Sequence, residues 1–316
     1  MSDQVSVIIP TYNRAHCIDR AIRSVLAQTH TDWELIIVDD GSTDHTREVL
    51  AGFGEKIRVI LQSNAGPSAA RNAGARAARG KFLAFLDSDD EWLPEKLALQ
   101  LPLMAGDGVI LSATNWRGKN DPSGVDGFAR FAFDGSWICE RPTEFVSRPG
   151  GHNIMLSSWL VRRDMLLAVG GFDSAADPAE DNHLLFRLAF KGRFALTKQV
   201  LLLRETGLDD VKLSRPGELK YLRRVVRGMC LASGNARMLA FSDSNLAQRQ
   251  FARLHSYYLR REMELAALDG NLWATRRRAR EILLHHPGAK DAAVAILGMI
   301  APFLIRRRMK KKYPAA

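Results

Sequence analysis

Asp87, Ser88, Asp89, Asp90 and Glu91 follow directly on the apolar residues Phe82, Leu83, Phe85 and Leu86 in FLAFLDSDDEW (82–92). The apolar residues read as a buried strand, so the carboxylates gather where that strand opens into a loop. Like charges this close repel one another and raise one another's pKa, which is costly unless a cation sits among them. Asp-x-Asp at such a strand end suits a hard divalent cation held by oxygen ligands and a diphosphate. Taken alone the tripeptide is weak, because Asp-Ser-Asp is common in turns.

Three other stretches place polar residues where strands should end. In PTYNR (10–14), Tyr12 offers a flat face for a nucleobase, or the stretch is an ordinary turn. In VDDGSTD (38–44), Asp40 could accept from a base ring N–H and Gly41 permits a tight turn, while Asp44 or Ser42 could open a helix; both uses can hold together. In NAGPSAARNAG (64–74), small residues allow close backbone approach, and Arg71 stands one turn into a helix. An arginine there could face a phosphate or lie solvated on the helix surface. Neither GxGxxG nor GxxxxGK[ST] occurs, so dinucleotide and P-loop readings lose their main support.

The elements that must position these residues alternate. VSVIIP (5–10), ELIIVDD (34–40), IRVILQ (57–62), KFLAFLD (81–87) and GVILSAT (108–114) read as strands. Between them, Ile18, Ile22, Val25 and Leu26 share a helical face, and the alanine-rich run 69–78 has Pro67 at its start. Such alternation predicts right-handed βαβ units and a mostly parallel sheet, whose ligands bind at the carboxyl ends of strands. Residues 115–156 show weak periodicity and predict loops and short edge strands. SSWLVRRDMLLAVGGFD (157–173) predicts a strand and helix closed by Gly170-Gly171. EDNHLLFRLAFKG (180–192) predicts a helix, FALTKQVLLLR (194–204) a final strand, and helices run from about 216 onward. Leu219, Leu222, Val226 and Met229 share one face there, as do Phe251, Leu254, Tyr258 and Leu265.

In this order and spacing the segments resemble the family 2 glycosyltransferases, inverting enzymes of the GT-A fold. The likeness rests on VSVIIPTYNR, ELIIVDDGSTD, NAGPSAARNAG and FLAFLDSDDEW, then GGFD and AEDNHLLFRLA, and covers roughly residues 5–205. It implies an α/β, Rossmann-like, mostly parallel central sheet flanked by helices. Residues 1–210 would form the nucleotide-sugar-binding and catalytic domain, and 211–316 a helical C-terminal region, the boundary falling near 206–215. Tyr12 would stack on a pyrimidine, with Pro10 and Thr11 lining the same loop. Asp40 would bond the base, Arg71 would lie near the nucleotide, and Ser88 would line the donor site. Asp87 would contact the ribose or the metal shell, and Asp89 would ligate Mn²⁺ or Mg²⁺. Asp181 would be the catalytic base, with Glu180 orienting the neighbouring backbone or the acceptor. Where many members carry a histidine as a further metal ligand, Arg204-Glu205-Thr206 places Thr206. Glu205, Asp209, Asp210 or water would have to substitute. The histidines show no ligand spacing, and His152 and His183 read as loop and helix-surface residues.

Composition sets outer bounds. The chain has 316 residues, 46% hydrophobic and 25% charged, an ordinary globular composition. Cys17, Cys139 and Cys230 are widely separated, which argues against a disulfide framework or structural zinc and for a reducing cytosol. MSDQVSVIIP lacks the pattern of a signal peptide, and no apolar run is long enough to span a bilayer. The formal charge of +10 is concentrated late, in LRRVVRG, ATRRRAR and IRRRMKKKY. AAVAILGMIAPFLI (292–305) before RRRMKKK suits either a helix lying in an anionic membrane surface or a core helix with a solvated tail.

These readings converge on a cytoplasmic enzyme, peripheral at most on the inner face of the membrane. It would move one sugar from a nucleotide-sugar, UDP-linked by expectation, to a saccharide acceptor, plausibly lipid-linked, in surface-polysaccharide synthesis. Alternatives are a sugar-1-phosphate nucleotidyltransferase, which would want a glycine-rich basic signature after the first strand, and a non-catalytic carbohydrate-binding relative. Nucleic acid is not an expected partner, since the aspartate cluster would oppose phosphate.

Overall fold

A computed structural model describes residues 4–119, 126–129, 131–147, 154–205, 216–240, 245–284 and 289–312. The chain divides into two compact units. The first comprises Met1–Phe145, Gly150–Ser174 and Leu188–Asp209; the second comprises Val146–Pro149, Ala175–Arg187 and Asp210–Ala316. This differs from a single cut at 210 in giving residues 146–149 and 175–187 to the helical unit.

The first unit opens with β1 (Val5–Thr11), α1 (Ile18–Leu26), β2 (Trp33–Asp39), α2 (Thr46–Ala51), β3 (Arg58–Leu61), α3 (Pro67–Ala77) and β4 (Phe82–Phe85). Then come β5 (Glu91–Trp92), α4 (Lys96–Gln100), β6 (Val109–Gly118), β7 (Ser136–Cys139), α5 (Pro142–Val146), β8 (Trp159–Arg162) and α6 (Arg163–Ala168). After α7 (Glu180–Ala189), β9 (Arg193–Arg204) completes a sheet that among the described residues has nine strands, ordered β3-β2-β1-β4-β8-β6-β9-β5, with β7 paired to β9.

Over β3-β2-β1-β4 the sheet is parallel, as the alternating strands and helices predict. Beyond β4 it is mixed: β8 runs antiparallel to both β4 and β6, and β6 and β9 are parallel again. GVILSAT is therefore a strand, but it does not extend the parallel series. The chain passes over that place and β8 fills it later. Strands β1 and β4 are buried on both faces, which is why they read as continuous apolar runs. Ile18, Ile22 and Val25 of α1 join Val5, Val7, Ile9, Leu35 and Ile37 in one core cluster, with Leu26 packed at its edge. Gly170 and Gly171, at φ +86° and +68°, follow α6.

The second unit contains α8 (Pro216–Leu239), α9 (Asn245–Leu268), α10 (Leu272–Leu284), α11 (Ala289–Ile300) and α12 (Pro302–Lys312). Its core gathers Val226, Cys230, Leu259, Met263, Ala279, Ile282, Ala295, Ile305 and Met309. Arg278 ties α10 to α9 through Glu262 at 3.0 Å. The three cysteines are buried free thiols, and no helix among the described residues is long and apolar enough to cross a membrane.

Candidate active site

The carboxyl ends of β1, β2 and β4 lie side by side because the three strands are parallel neighbours. A cleft of about 360 Å³ opens there. Pro10, Thr11, Tyr12 and Arg14 supply one part of its wall, Asp40, Ala70 and Arg71 another, and Asp87, Ser88 and Asp89 a third. Pro10, Thr11, Tyr12, Asp40, Arg71, Asp87, Ser88 and Asp89, the residues assigned from the motifs to donor and metal binding, thus line one cavity.

Two loops brace one another beneath it. The Asn13 side-chain oxygen accepts from the Thr43 N–H at 2.8 Å, and the Asn13 N–H donates to the Ser42 hydroxyl at 3.0 Å. Neither Asp44 nor Ser42 is the N-cap of α2, a place taken by His45 without a side-chain bond; the Asp44 carboxylate, one residue earlier, accepts from the Thr46 N–H at 3.0 Å. Burial would raise Asp39, but hydrogen bonds from Arg47 and Ser42 outweigh it and hold the carboxyl below its usual range. Tyr12 remains 44% exposed, its ring available for stacking. Beside it the Thr11 hydroxyl is buried and without a hydrogen-bond partner among the described residues, which suits a ligand acceptor or donor in the cleft.

Asp40 is buried and organises the loop before α3. Its oxygens accept from the Gln62 amide at 2.7 Å and from the N–H groups of Ala65 at 2.9 Å and Gly66 at 2.8 Å. A base ring would therefore share this carboxylate with three protein donors, and the oxygen facing Gly66 keeps the spare acceptor capacity. Gly41 turns at φ +82°, where a Cβ would stand 3.0 Å from the Asn64 nitrogen, so the loops approach closely only around glycine.

Arg71 is buried rather than solvated, and its Nη2 donates to Asp87 Oδ1 at 2.8 Å. Its guanidinium lies 5.5 Å from the centroid of the Phe172 ring. The next residue, Asn72, accepts from the Phe172 N–H at 2.9 Å and donates to the Phe172 carbonyl at 2.8 Å. The ARNAG and GGFD stretches, far apart in sequence, are thereby joined behind the acid cluster.

The loop DSDDEW is pinned from below by residues that sequence reasoning missed. The Ser157 hydroxyl accepts the Asp87 N–H at 3.1 Å, and the Ser157 carbonyl accepts the Trp92 indole N–H at 2.7 Å. Lys96, wholly buried, lies 4.0 Å from the Trp92 ring centroid and donates to Gln100 at 2.7 Å. Burial pushes its amine far below the usual lysine range. Gln100 in turn donates to the carbonyls of Ser112 and Ser158. The available signal was Lys96 and Gln100 falling four apart on the same helical face as Leu97.

Asp90 is buried, and burial with Asp87 and Asp89 close by pushes its carboxyl up to about 7, against bonds from Ser157 and the Glu205 N–H. The donor set facing the cleft is all oxygen. Two carboxylates, completed by phosphate oxygens and water, suffice for Mg²⁺ or Mn²⁺, so Asp87 and Asp89 fit such an ion. No group of three or more ligating side chains gathers among the described residues. Glu205, one of the residues offered in place of the expected histidine, pairs its carboxylate with Arg20 at 3.0 Å. Thr206, Asp209, Asp210 and His152 lie outside the described residues.

Glu180 and Asp181 stand in the first turn of α7, in the second unit. Glu180 is 7% exposed, whereas Asp181 is half-buried and accepts from the Asn182 N–H at 2.7 Å. His183 is not a helix-surface residue: it is buried on α7, with its Nε2 against the Asn235 amide at 3.1 Å.

Residues 6–170, just over half of the chain, match the sequence profile of Glycosyl transferase family 2. The chain belongs to that family and has the GT-A fold. It is 45% identical over 116 residues to the putative teichuronic acid biosynthesis glycosyltransferase TuaG of Bacillus subtilis, covering 35% of this chain and 46% of that one. It is 40% identical over 126 residues to the UDP-Glc:alpha-D-GlcNAc-diphosphoundecaprenol beta-1,3-glucosyltransferase WfgD of Escherichia coli, covering 39% and 50%. Half or less of either relative's length is matched. Among solved structures, S. aureus TarS 1-349 in complex with UDP-GlcNAc superposes with a TM-score of 0.67 at 16% identity, over 98% of this chain and 92% of that one. The Pyrobaculum calidifontis mannosyltransferase PcManGT, in complex with GDP-Man and Mn²⁺, gives 0.55 at 19% identity, over 99% and 88%.

Proposed function

We propose that the protein transfers a single sugar from a UDP-sugar to a lipid-linked saccharide, with inversion and with Mn²⁺ or Mg²⁺, in surface-polysaccharide synthesis on the cytoplasmic side of the membrane. The observation that carries this reading is the convergence of Tyr12, Asp40, Arg71, Asp87 and Asp89 on one cleft at the ends of parallel strands. TarS, solved with UDP and with UDP-GlcNAc, supports a uridine donor, and the activity for which WfgD is named supports an acceptor on diphosphoundecaprenol.

Tyr12 stacks on the base, while Asp40 orders the loop beneath it and accepts from the ring N–H. Asp87 and Asp89 would hold the divalent ion, with Arg71 fixing Asp87. A bound ion would supply Lewis-acid neutralisation of charge on the departing diphosphate. Asp181 takes the proton from the acceptor hydroxyl as it attacks the opposite face of the anomeric carbon, which inverts in one displacement. Buried Glu180 orients the start of α7. Incubating the enzyme with a panel of nucleotide-sugars and a diphosphoprenyl-linked saccharide tests the reading. Sugar transfer from a UDP donor with inverted configuration is expected; retained configuration, or nucleotidyl transfer instead, refutes it.

A further inference from the structure

The helices α11 and α12 have two unlike faces. Ala295, Gly298, Pro302, Ile305 and Met309 are buried at helical spacing, and Ala295, Ile305 and Met309 belong to the helical core. On the other side Ile296, Ile300, Phe303 and Leu304 are exposed, Ile300 at 75% and Phe303 at 64%. A core helix would not leave such residues in water, so each sequence-level alternative describes only one face.

The exposed face changes character along its length. It is apolar up to Leu304, and then Arg306, Arg307, Arg308 and Lys310 stand out into solvent. From residue 292 to 312 the sequence contains no acid. A shallow hollow is lined by Phe303, Arg306, Arg307 and Lys310, setting three cations around one aromatic side chain. We propose that this face of α11–α12 docks on an anionic lipid surface, with Ile300 and Phe303 entering the boundary between headgroups and chains and the cations of α12 on the headgroup phosphates. A second copy of the chain would have to meet the same exposed cations, so like charge disfavours it. An anionic bilayer satisfies both halves of the face at once. The inference deepens the reading of a lipid-linked acceptor and rests on it for its purpose, though its physical argument is independent.

Flotation of the full chain with vesicles of phosphatidylcholine, alone or mixed with phosphatidylglycerol, tests it, with UDP binding measured in parallel on the same samples. The wild type is expected to float with the mixed vesicles and to be released by salt. Ile300→Glu with Phe303→Glu, and separately Arg307→Glu with Lys310→Glu, should each lower binding by at least about tenfold without changing UDP affinity. These side chains are exposed, so folding should survive their replacement. Absence of vesicle binding, or binding indifferent to both variants, overturns the proposal. Self-association abolished by Ile300→Glu without vesicle binding also overturns it, in favour of a second copy. Vesicle binding without UDP binding would leave the docking face standing and remove the transferase reading.

Discussion

Arg71 donates to Asp87 across 2.8 Å from a buried position over the ring of Phe172. It supplies a fixed positive charge within the acid cluster, so the repulsion among Asp87, Asp89 and Asp90 is relieved in part before any metal arrives. The same bond sets the direction of one of the two carboxylates assigned to the metal.

Replacing this arginine separates the two consequences. Arg71→Ala should weaken metal-dependent UDP binding by at least about tenfold and destabilise the fold by about 1–2 kcal/mol. The lower stability figure reflects Asp87, which is still 35% open to solvent and therefore screened. Arg71→Lys should recover little, because an ammonium does not reproduce the planar guanidinium over Phe172. Calorimetry of UDP binding and urea unfolding of both variants check this; a lysine variant with wild-type affinity would show that charge alone suffices.

The arrangement behind the cleft also shows what sequence could and could not reveal. Strands β1, β2 and β4 were legible because their apolar runs are buried and lead into polar residues, so Tyr12, Asp40 and Asp89 could be placed at strand ends; β3, which is mostly exposed, was legible by its alternation instead. The seating of β8 between β4 and β6 was not legible, because strand order beyond a βαβ run is decided by long-range pairing. Nor was the bond between Asn72 and Phe172, which joins residues a hundred positions apart. Lys96 and His183 were overlooked or misjudged for a related reason: both are polar side chains made tolerable in the interior by partners, Gln100 of its own helix and the Trp92 ring for Lys96, and Asn235 of α8 for His183.

Asp181 and Glu180 should respond differently to loss of charge. Asparagine at 181 keeps the size but cannot take up a proton, so Asp181→Asn should lower turnover by at least about a hundredfold with little change in UDP affinity. Glu180→Gln should do less. Single-turnover transfer and UDP titration of both variants distinguish them, and the opposite ranking would move the base to Glu180.

Asp90 should make metal-free stability fall as pH rises. Its folded pKa, about 7, lies above the ordinary 3.8, so its contribution is fully present below the lower value and is lost as pH rises through the upper one. Asp90→Asn keeps an acceptor for the Glu205 N–H and removes the titration. In EDTA, urea unfolding should show the variant gaining on the wild type by up to a few kcal/mol between about pH 4 and 8. Parallel stability curves would mean that Asp90 ionises at no cost.

The central claim is that the Asp87–Asp89 cleft binds a nucleotide diphosphate through a divalent ion. Calorimetric titration of UDP into the wild type and Asp89→Ala, each with Mn²⁺ and with EDTA, tests it most directly. The account predicts that Mn²⁺ tightens UDP binding to the wild type by at least about tenfold, a gain absent from the folded variant. Equal Mn²⁺-dependent affinity in the two proteins would contradict it.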